Sequence, residues 1–167
     1  MNTLRKVKIA HILHSVGGVD VSLRLILQNI DNEKFENIVI HGTKDSKADF
    51  KDKSNLKVTD FKLPLYRNIN VVNDFKSILK TIKILKEFQP DLIHAHSAKG
   101  GIVGKIAGKF LKVPVLHTPQ AYSYLSASSS LKSKLYLFIE KIFRFKGNKI
   151  LASSNSEMNR AINEVGY

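Results

Sequence analysis

The residues of this chain best equipped for chemistry are its six histidines, His11, His14, His41, His94, His96 and His117. Each falls in the middle or latter part of a short apolar, β-branched run. Just beyond those runs, or beyond a sixth, come Gly17, Gly18, Gly42, Thr43, Ser97, Thr118, Gln120, Ser153 and Ser154. Imidazoles, hydroxyls, an amide and loop N–H groups gathered on one rim suit a ligand rich in hydroxyls and phosphate. The densest stretch is Pro90 to Gly104, PDLIHAHSAKGGIVG, an apolar strand that delivers polar side chains into a helix N-terminus. His94 is expected to pack internally and His96, at the strand exit, to meet a ligand. Two positions apart on a strand, their side chains face the same way roughly 7 Å apart and could share a metal. No nearby Glu or Cys completes such a site, and Asp91 is at the far end of the strand, so no metal is expected. Lys99 opposes the dipole of the helix it opens, which favours a role in neutralising phosphate over simple solvation. Gly17-Gly18 suits close backbone approach to a phosphate or only a tight turn, since the dinucleotide pattern G-x-G-x-x-G is absent. Gln120 and Tyr122 follow Pro119 in a loop.

The elements that must position these groups read as alternating strands and helices. Strands are expected at Val7 to His14, Asn37 to His41, Lys57 to Phe61, Leu92 to His96, Val113 to His117 and Lys149 to Ala152. Helices are expected from about Val19 to Ile30, with Val21, Leu25, Ile26 and Ile30 on the apolar face, and from Asn73 to Phe88, capped by Asn73 or Asp74 with Ile78, Leu79, Ile82 and Leu85 inward. A third helix runs to Leu111 with Ile102, Val103, Ile106 and Phe110 toward the sheet and a ridge of Gly101, Gly104 and Gly108. A fourth spans Leu131 to Phe145 with Leu135, Phe138, Ile139 and Ile142 as one face. The last starts at Asn155, where Ser154 and Glu157 have capping-box spacing. Asp45 to Asn55, polar and lysine-rich, is expected to be exposed. The alternation predicts a single α/β domain, a doubly wound, mostly parallel sheet with helices on both faces, Rossmann-like.

Composition narrows the function classes. With 167 residues, no cysteine and no apolar run of membrane-spanning length, the chain is expected to be one compact cytoplasmic domain. Its net charge of +13 is concentrated toward the C-terminus, where Glu140 is the only acid between Leu92 and Ser156. Lysines dominate over arginines and no nucleic-acid-binding signature accompanies them, so no nucleic acid partner is expected. The fourth helix, ringed by Lys132, Lys134, Lys141 and Arg144, is read as a core helix with solvated lysines, or as a peripheral contact with an anionic membrane.

Gly17-Gly18, Pro64-Leu65 through Arg67 and Ile69 before Asp74, Pro90 to Lys99, Gly101 and Gly104, Thr118-Pro119 and Ser153-Ser154 together resemble the N-terminal half of the family 4 retaining glycosyltransferases, enzymes of two Rossmann-like domains facing across a cleft. The resemblance covers nearly the whole chain. It implies an acceptor-side domain that helps move a sugar from a nucleotide-sugar donor to a cell-envelope polysaccharide or lipid-linked acceptor, with no cofactor. It also implies a C-terminal Rossmann-like domain holding the donor through an E-x7-E motif that this chain lacks, so the chain is expected to be half an enzyme. The residues so implicated in substrate binding are Gly17, Gly18, Arg67, His96, Ser97, Lys99, Gln120, Tyr122 and Ser154, with His96 and Gln120 as catalytic candidates. Where many relatives have Thr-Pro-His, with the histidine on the transferred sugar, this chain has Gln120, which can hydrogen-bond but not titrate. The alternative is a non-catalytic binding or membrane-recruiting subunit that pairs with a separate catalytic chain. A nicotinamide oxidoreductase is disfavoured, for it needs a glycine fingerprint and a ribose-binding acid that are not evident.

Overall fold

A computed structural model describes residues 5–45, 48–66 and 69–167. Strands β1 (Val7–Ile12), β2 (Phe35–Gly42), β3 (Thr59–Leu63), β4 (Leu92–His96), β5 (Val115–Thr118) and β6 (Lys149–Ile150) form one sheet in the order β3-β2-β1-β4-β5-β6. Every pairing is parallel. This is the expected doubly wound α/β fold, and the strand order reverses between β1 and β4. At such a switch point the loops leaving adjacent strands diverge to opposite faces and leave a crevice.

The helices are α1 (Gly18–Asn29), α2 (Val71–Phe88), α3 (Ser97–Leu111), α4 (Ser130–Ile142) and α5 (Asn155–Arg160), the last continuing into a π-helical turn at Ala161–Val165. α2 and α3 cover one face of the sheet, where Ile12, Ile40, Leu85, Ile93 and Val103 are buried together. α1 covers the other through Leu23 and Leu27, against Leu13, Val39 and Phe50. Each fully buried Leu or Ile in these layers contributes about 1.5–3 kcal/mol.

Several expected faces are corrected. In α1 the inward residues are Leu23 and Leu27, while Val21 and Leu25 are exposed. In α2 the cap is Asn70, whose side chain accepts from Asn73 N, and Leu79 is exposed. In α3 Phe110 is exposed, and Gly100, Gly101, Val103, Gly104, Ala107 and Gly108 form the buried face. A Cβ on Gly100 would sit 2.3 Å from Ile12 O, so the helix runs directly over the end of β1. The exposed Asp45 to Asn55 loop instead buries Phe50, which packs edge-on against His41 and under the Arg24 guanidinium. α4 turns its apolar stripe outward, with Leu131 79%, Leu135 48%, Phe138 59% and Ile142 51% exposed, and points Glu140 inward. The reading of α4 as an ordinary core helix is therefore overturned. The common reason is composition: many apolar residues share each helix, so periodicity alone does not single out the face the sheet takes.

Candidate functional site

The β1/β4 switch point brings the histidines together, but not as a rim. His11, His41, His94, His96 and His117 lie within strands and are buried, and only His14 stands beyond a strand end with part of its side chain exposed. His117 pairs with Ala95 and faces α3, where its Nε2 donates to Ser97 O at 3.1 Å. His11 and His94 are register partners on the opposite face and meet His96 there. His96 is wholly buried, so the expectation that it faces a ligand while His94 packs inward is not what the structure shows. The ring at 96 is a packed element of the switch point, 3.2 Å from His11 Nδ1.

Burial holds these rings neutral. Loss of solvation and the neighbouring His94 bring His11 down to about 3, and loss of solvation alone brings His94 to about 4. His96 is held well below its ordinary value by burial and by the nearby His94, His11 and His117. Nitrogens of His11, His94 and His96 lie within 4.8 Å of one another, a set able to hold a metal ion. Sequence reading missed His11 as the third member, because a register partner 83 residues upstream of His94 leaves no mark in local spacing. Hydrogen bonds account for much of this cluster: His11 Nε2 lies 3.2 Å from Asn37 Oδ1 and His94 Nε2 lies 2.9 Å from Thr118 Oγ1.

The remaining candidates separate into open and occupied groups. Gly17 takes φ 62° and caps α1, and a Cβ on Gly17 or Gly18 would meet nothing within 4 Å. At Gly18 nothing in the described chain excludes a side chain. Ser97 (φ 58°), Gln120 (φ 52°) and Ala121 (φ 73°) are left-handed, strain that non-glycine residues hold only when their surroundings impose it. Gln120 keeps its Oε1 without a partner. Lys99 binds Asp74 at 2.8 Å, so its charge is already partnered. Tyr122 is buried and stacked on Tyr124, which makes it core rather than a loop contact. Ser154 caps α5, accepting from Glu157 N at 3.1 Å. Glu157, foreshadowed only by the capping-box spacing, holds the site from behind: it accepts from Ala121 N at 2.9 Å and from Ser153 N at 2.7 Å. Arg67 lies outside the described residues.

A cavity of about 390 Å³ opens between the first turn of α3 and the Ser123–Ser126 turn with α4. Its lining includes Lys99, Ser123, Ser126, Lys132, Tyr136 and Glu140. Hydroxyls and cations over an apolar wall of Ile69, Ile102 and Ile139 make it a seat for a polar head with an apolar extension.

Comparison with known proteins agrees with this geometry. Residues 16–167 match Glycosyltransferase Family 4. The chain is 32% identical to a UDP-Gal:alpha-D-GlcNAc-diphosphoundecaprenol alpha-1,3-galactosyltransferase of Escherichia coli, over 98% of this chain and 43% of that protein. It is 29% identical to the capsular polysaccharide biosynthesis glycosyltransferase CapM of Staphylococcus aureus, over 60% of this chain and 26% of that one. In fold it is similar to sucrose-phosphate synthase from Thermosynechococcus elongatus (TM-score 0.70, 15% identity, 96% of this chain and 45% of the other). It is likewise similar to a glycosyltransferase from Rickettsia africae (TM-score 0.67, 18% identity, 97% and 40%). The chain thus spans less than half the length of each of these relatives. A match over residues 16–167, all but the first fifteen residues, decides the matter: the chain belongs to glycosyltransferase family 4.

Proposed function

We propose that this chain is the acceptor-side domain of a glycosyltransferase, holding a glycan or lipid-linked acceptor while a C-terminal Rossmann-like domain presents a nucleotide-sugar across the cleft. The observation that carries this reading is the unfilled space at Gly17-Gly18 beside the β1/β4 crevice, in a chain of this family. Backbone amides of the loop approach the donor phosphates, and the cavity between α3 and α4 seats the acceptor, its serines meeting hydroxyls and Lys132 an anionic group. Gln120, strained and with an unused carbonyl oxygen, is the better candidate to orient the sugar, and His96 supports the crevice from within. Such transfer depends on positioning and on stabilising a leaving phosphate, tasks that need no titrating group on this domain. The nucleotide-sugar is a substrate, and no cofactor is invoked.

The test is reconstitution. Residues 1–167 alone should transfer sugar more than about 10³-fold more slowly than the same chain joined to a nucleotide-binding half, the scale of losing the groups that stabilise transferred charge. Robust turnover by the chain alone overturns the reading.

The outward stripe Leu131, Leu135, Phe138 and Ile142, flanked by Lys132, Lys134 and Lys141, supports peripheral seating on an anionic membrane, on its inner face where a lipid-linked acceptor is handled. Among the described residues no helix is long and apolar enough to cross a membrane. The chain is expected to float with vesicles containing phosphatidylglycerol. Leu135→Asp with Phe138→Asp should weaken that binding at least about tenfold, given the apolar area removed from the interface. Absence of flotation at low salt removes the membrane contact.

A further inference from the structure

His14 was not singled out by its sequence position, yet it is the histidine of the described chain that stands beyond a strand end with an accessible ring edge. Its side chain is 20% exposed, and its Nδ1 lies 2.7 Å from Asp45 Oδ1 in an ion-pair contact. Asp45 has no exposed side chain. Its Oδ2 accepts from Ser15 N and, at 2.7 Å, from Gly42 N, so one carboxylate ties the end of β1 to the end of β2. Gly42 makes room for it, since a Cβ there would lie 2.4 Å from Asp45 Oδ1. Burial opposes ionisation of Asp45, but the contacts from His14, Ser15 N and Gly42 N outweigh it and hold the carboxyl below its usual range.

The two ring nitrogens of His14 therefore have different fates. Nδ1 is buried against Asp45 Oδ1, whereas no hydrogen bond or ion pair engages Nε2 among the described residues, and the side chain is 20% exposed. A carboxylate behind Nδ1 fixes the ring's orientation and leaves the Nε2 edge to meet an anion. Three residues on is Gly17, the N-cap of α1, where no side chain caps the helix and a Cβ on Gly17 or Gly18 would meet nothing within 4 Å. Arg24, on α1, is engaged by Asp20 and by the carbonyls of Ala48 and Asp49.

We infer that His14, held by Asp45, donates a hydrogen bond from Nε2 to a phosphate oxygen of the ligand entering at Gly17-Gly18. The inference rests on the proposed transferase function and adds to it a specific side chain on the phosphate. Two sources share that chemistry, the diphosphate of a nucleotide-sugar and that of a diphosphate-linked acceptor.

Two substitutions separate this role from a structural one, tested in the polypeptide that joins this domain to its nucleotide-binding half. In His14→Asn the amide can still donate to Asp45 but nothing replaces Nε2. In His14→Gln the amide reaches toward the Nε2 position. His14→Asn is expected to fold with an unchanged melting temperature and to lose about 10²-fold in kcat/KM, the scale of one lost donor to a charged oxygen. His14→Gln should recover about tenfold of that loss. A rise in KM for the nucleotide-sugar assigns the diphosphate to the donor, and a rise for the acceptor assigns it there. Wild-type turnover by His14→Asn, or an equal fall in both variants together with a lower melting temperature, overturns the inference. Should the wild-type polypeptide transfer no sugar, the broader reading fails, and the inference is then decided on this chain alone by the 15N shift of the His14 ring during titration with inorganic pyrophosphate. No shift overturns it.

Discussion

Gly100→Ala is expected to destabilise this domain by about 3 kcal/mol, the upper part of the range for forcing extra atoms into a packed interior. A Cβ at that position would lie 2.3 Å from Ile12 O, 2.9 Å from Ile12 C and 3.0 Å from Leu13 Cα. These are backbone atoms of the central strand and its exit, so no rotamer change relieves the contact, and the first turn of α3 must lift from the sheet. For a domain of this size the melting temperature should fall by about 6–12 °C. Gly18→Ala is the informative contrast, because a Cβ there meets nothing within 4 Å. Its stability should stay within about 0.5 kcal/mol of wild type. In the enzyme that carries the second domain its transfer rate should fall about 10²-fold, as a displaced ligand loses its attack geometry. Thermal melts and initial rates measured on both variants check the pair. A Gly18→Ala protein that transfers sugar normally would show that no ligand comes close there.

The second large effect concerns Lys105 and Glu140. Lys105 of α3 is fully buried, its Nζ 3.4 Å from Oε2 of the buried Glu140 on α4. Burial pushes the carboxyl of Glu140 up and the ammonium of Lys105 down, each partly opposed by the other's charge. Removing one partner strands the other, so Lys105→Met is expected to cost about 3–5 kcal/mol at neutral pH. With the lysine gone, the folded state holds the Glu140 proton to a higher pH than the unfolded chain does. The folded state then binds more protons, and stability falls as pH rises from the ordinary carboxylate range through the raised value. The penalty should thus be smallest in acid and grow toward neutrality. Replacing both residues, Lys105→Met with Glu140→Leu, should recover most of the loss. Denaturant melts from acid to neutral pH measure this, and a pH-independent penalty would show that the deficit is packing and not a stranded charge.

This pair also shows where local pattern stops being informative. In the sequence Lys105 is one of several lysines scattered through the basic C-terminal part, and Glu140 is the lone acid between Leu92 and Ser156. Their pairing across 35 residues depends on α3 and α4 closing over one another, with Tyr122, Tyr136 and Tyr167 around them. The faces of α1 and α4 were misread for a related reason. Val21 and Leu25, or Leu135 and Phe138, are as apolar as the residues that do pack, and the choice between stripes is made by the sheet's shape rather than by the helix.

By itself the sequence determined the alternation of strands and helices, the parallel sheet and the strand-end loops, because side-chain periodicity and turn chemistry are local and each element spans only a few turns or pleats. It also determined the family, whose motifs are carried by short strings such as Gly17-Gly18 and the run from Pro90 to Lys99. What each polar group does was decided only by tertiary structure. Register put His11 beside His94 and His96 and buried all three. The end-to-end closure of β1 on β2 let a carboxylate from an unpromising lysine-rich loop reach His14. Which polar groups face the crevice follows from how strands are ordered and helices laid across them. Those are contacts between residues far apart in the chain, and no spacing along it encodes them.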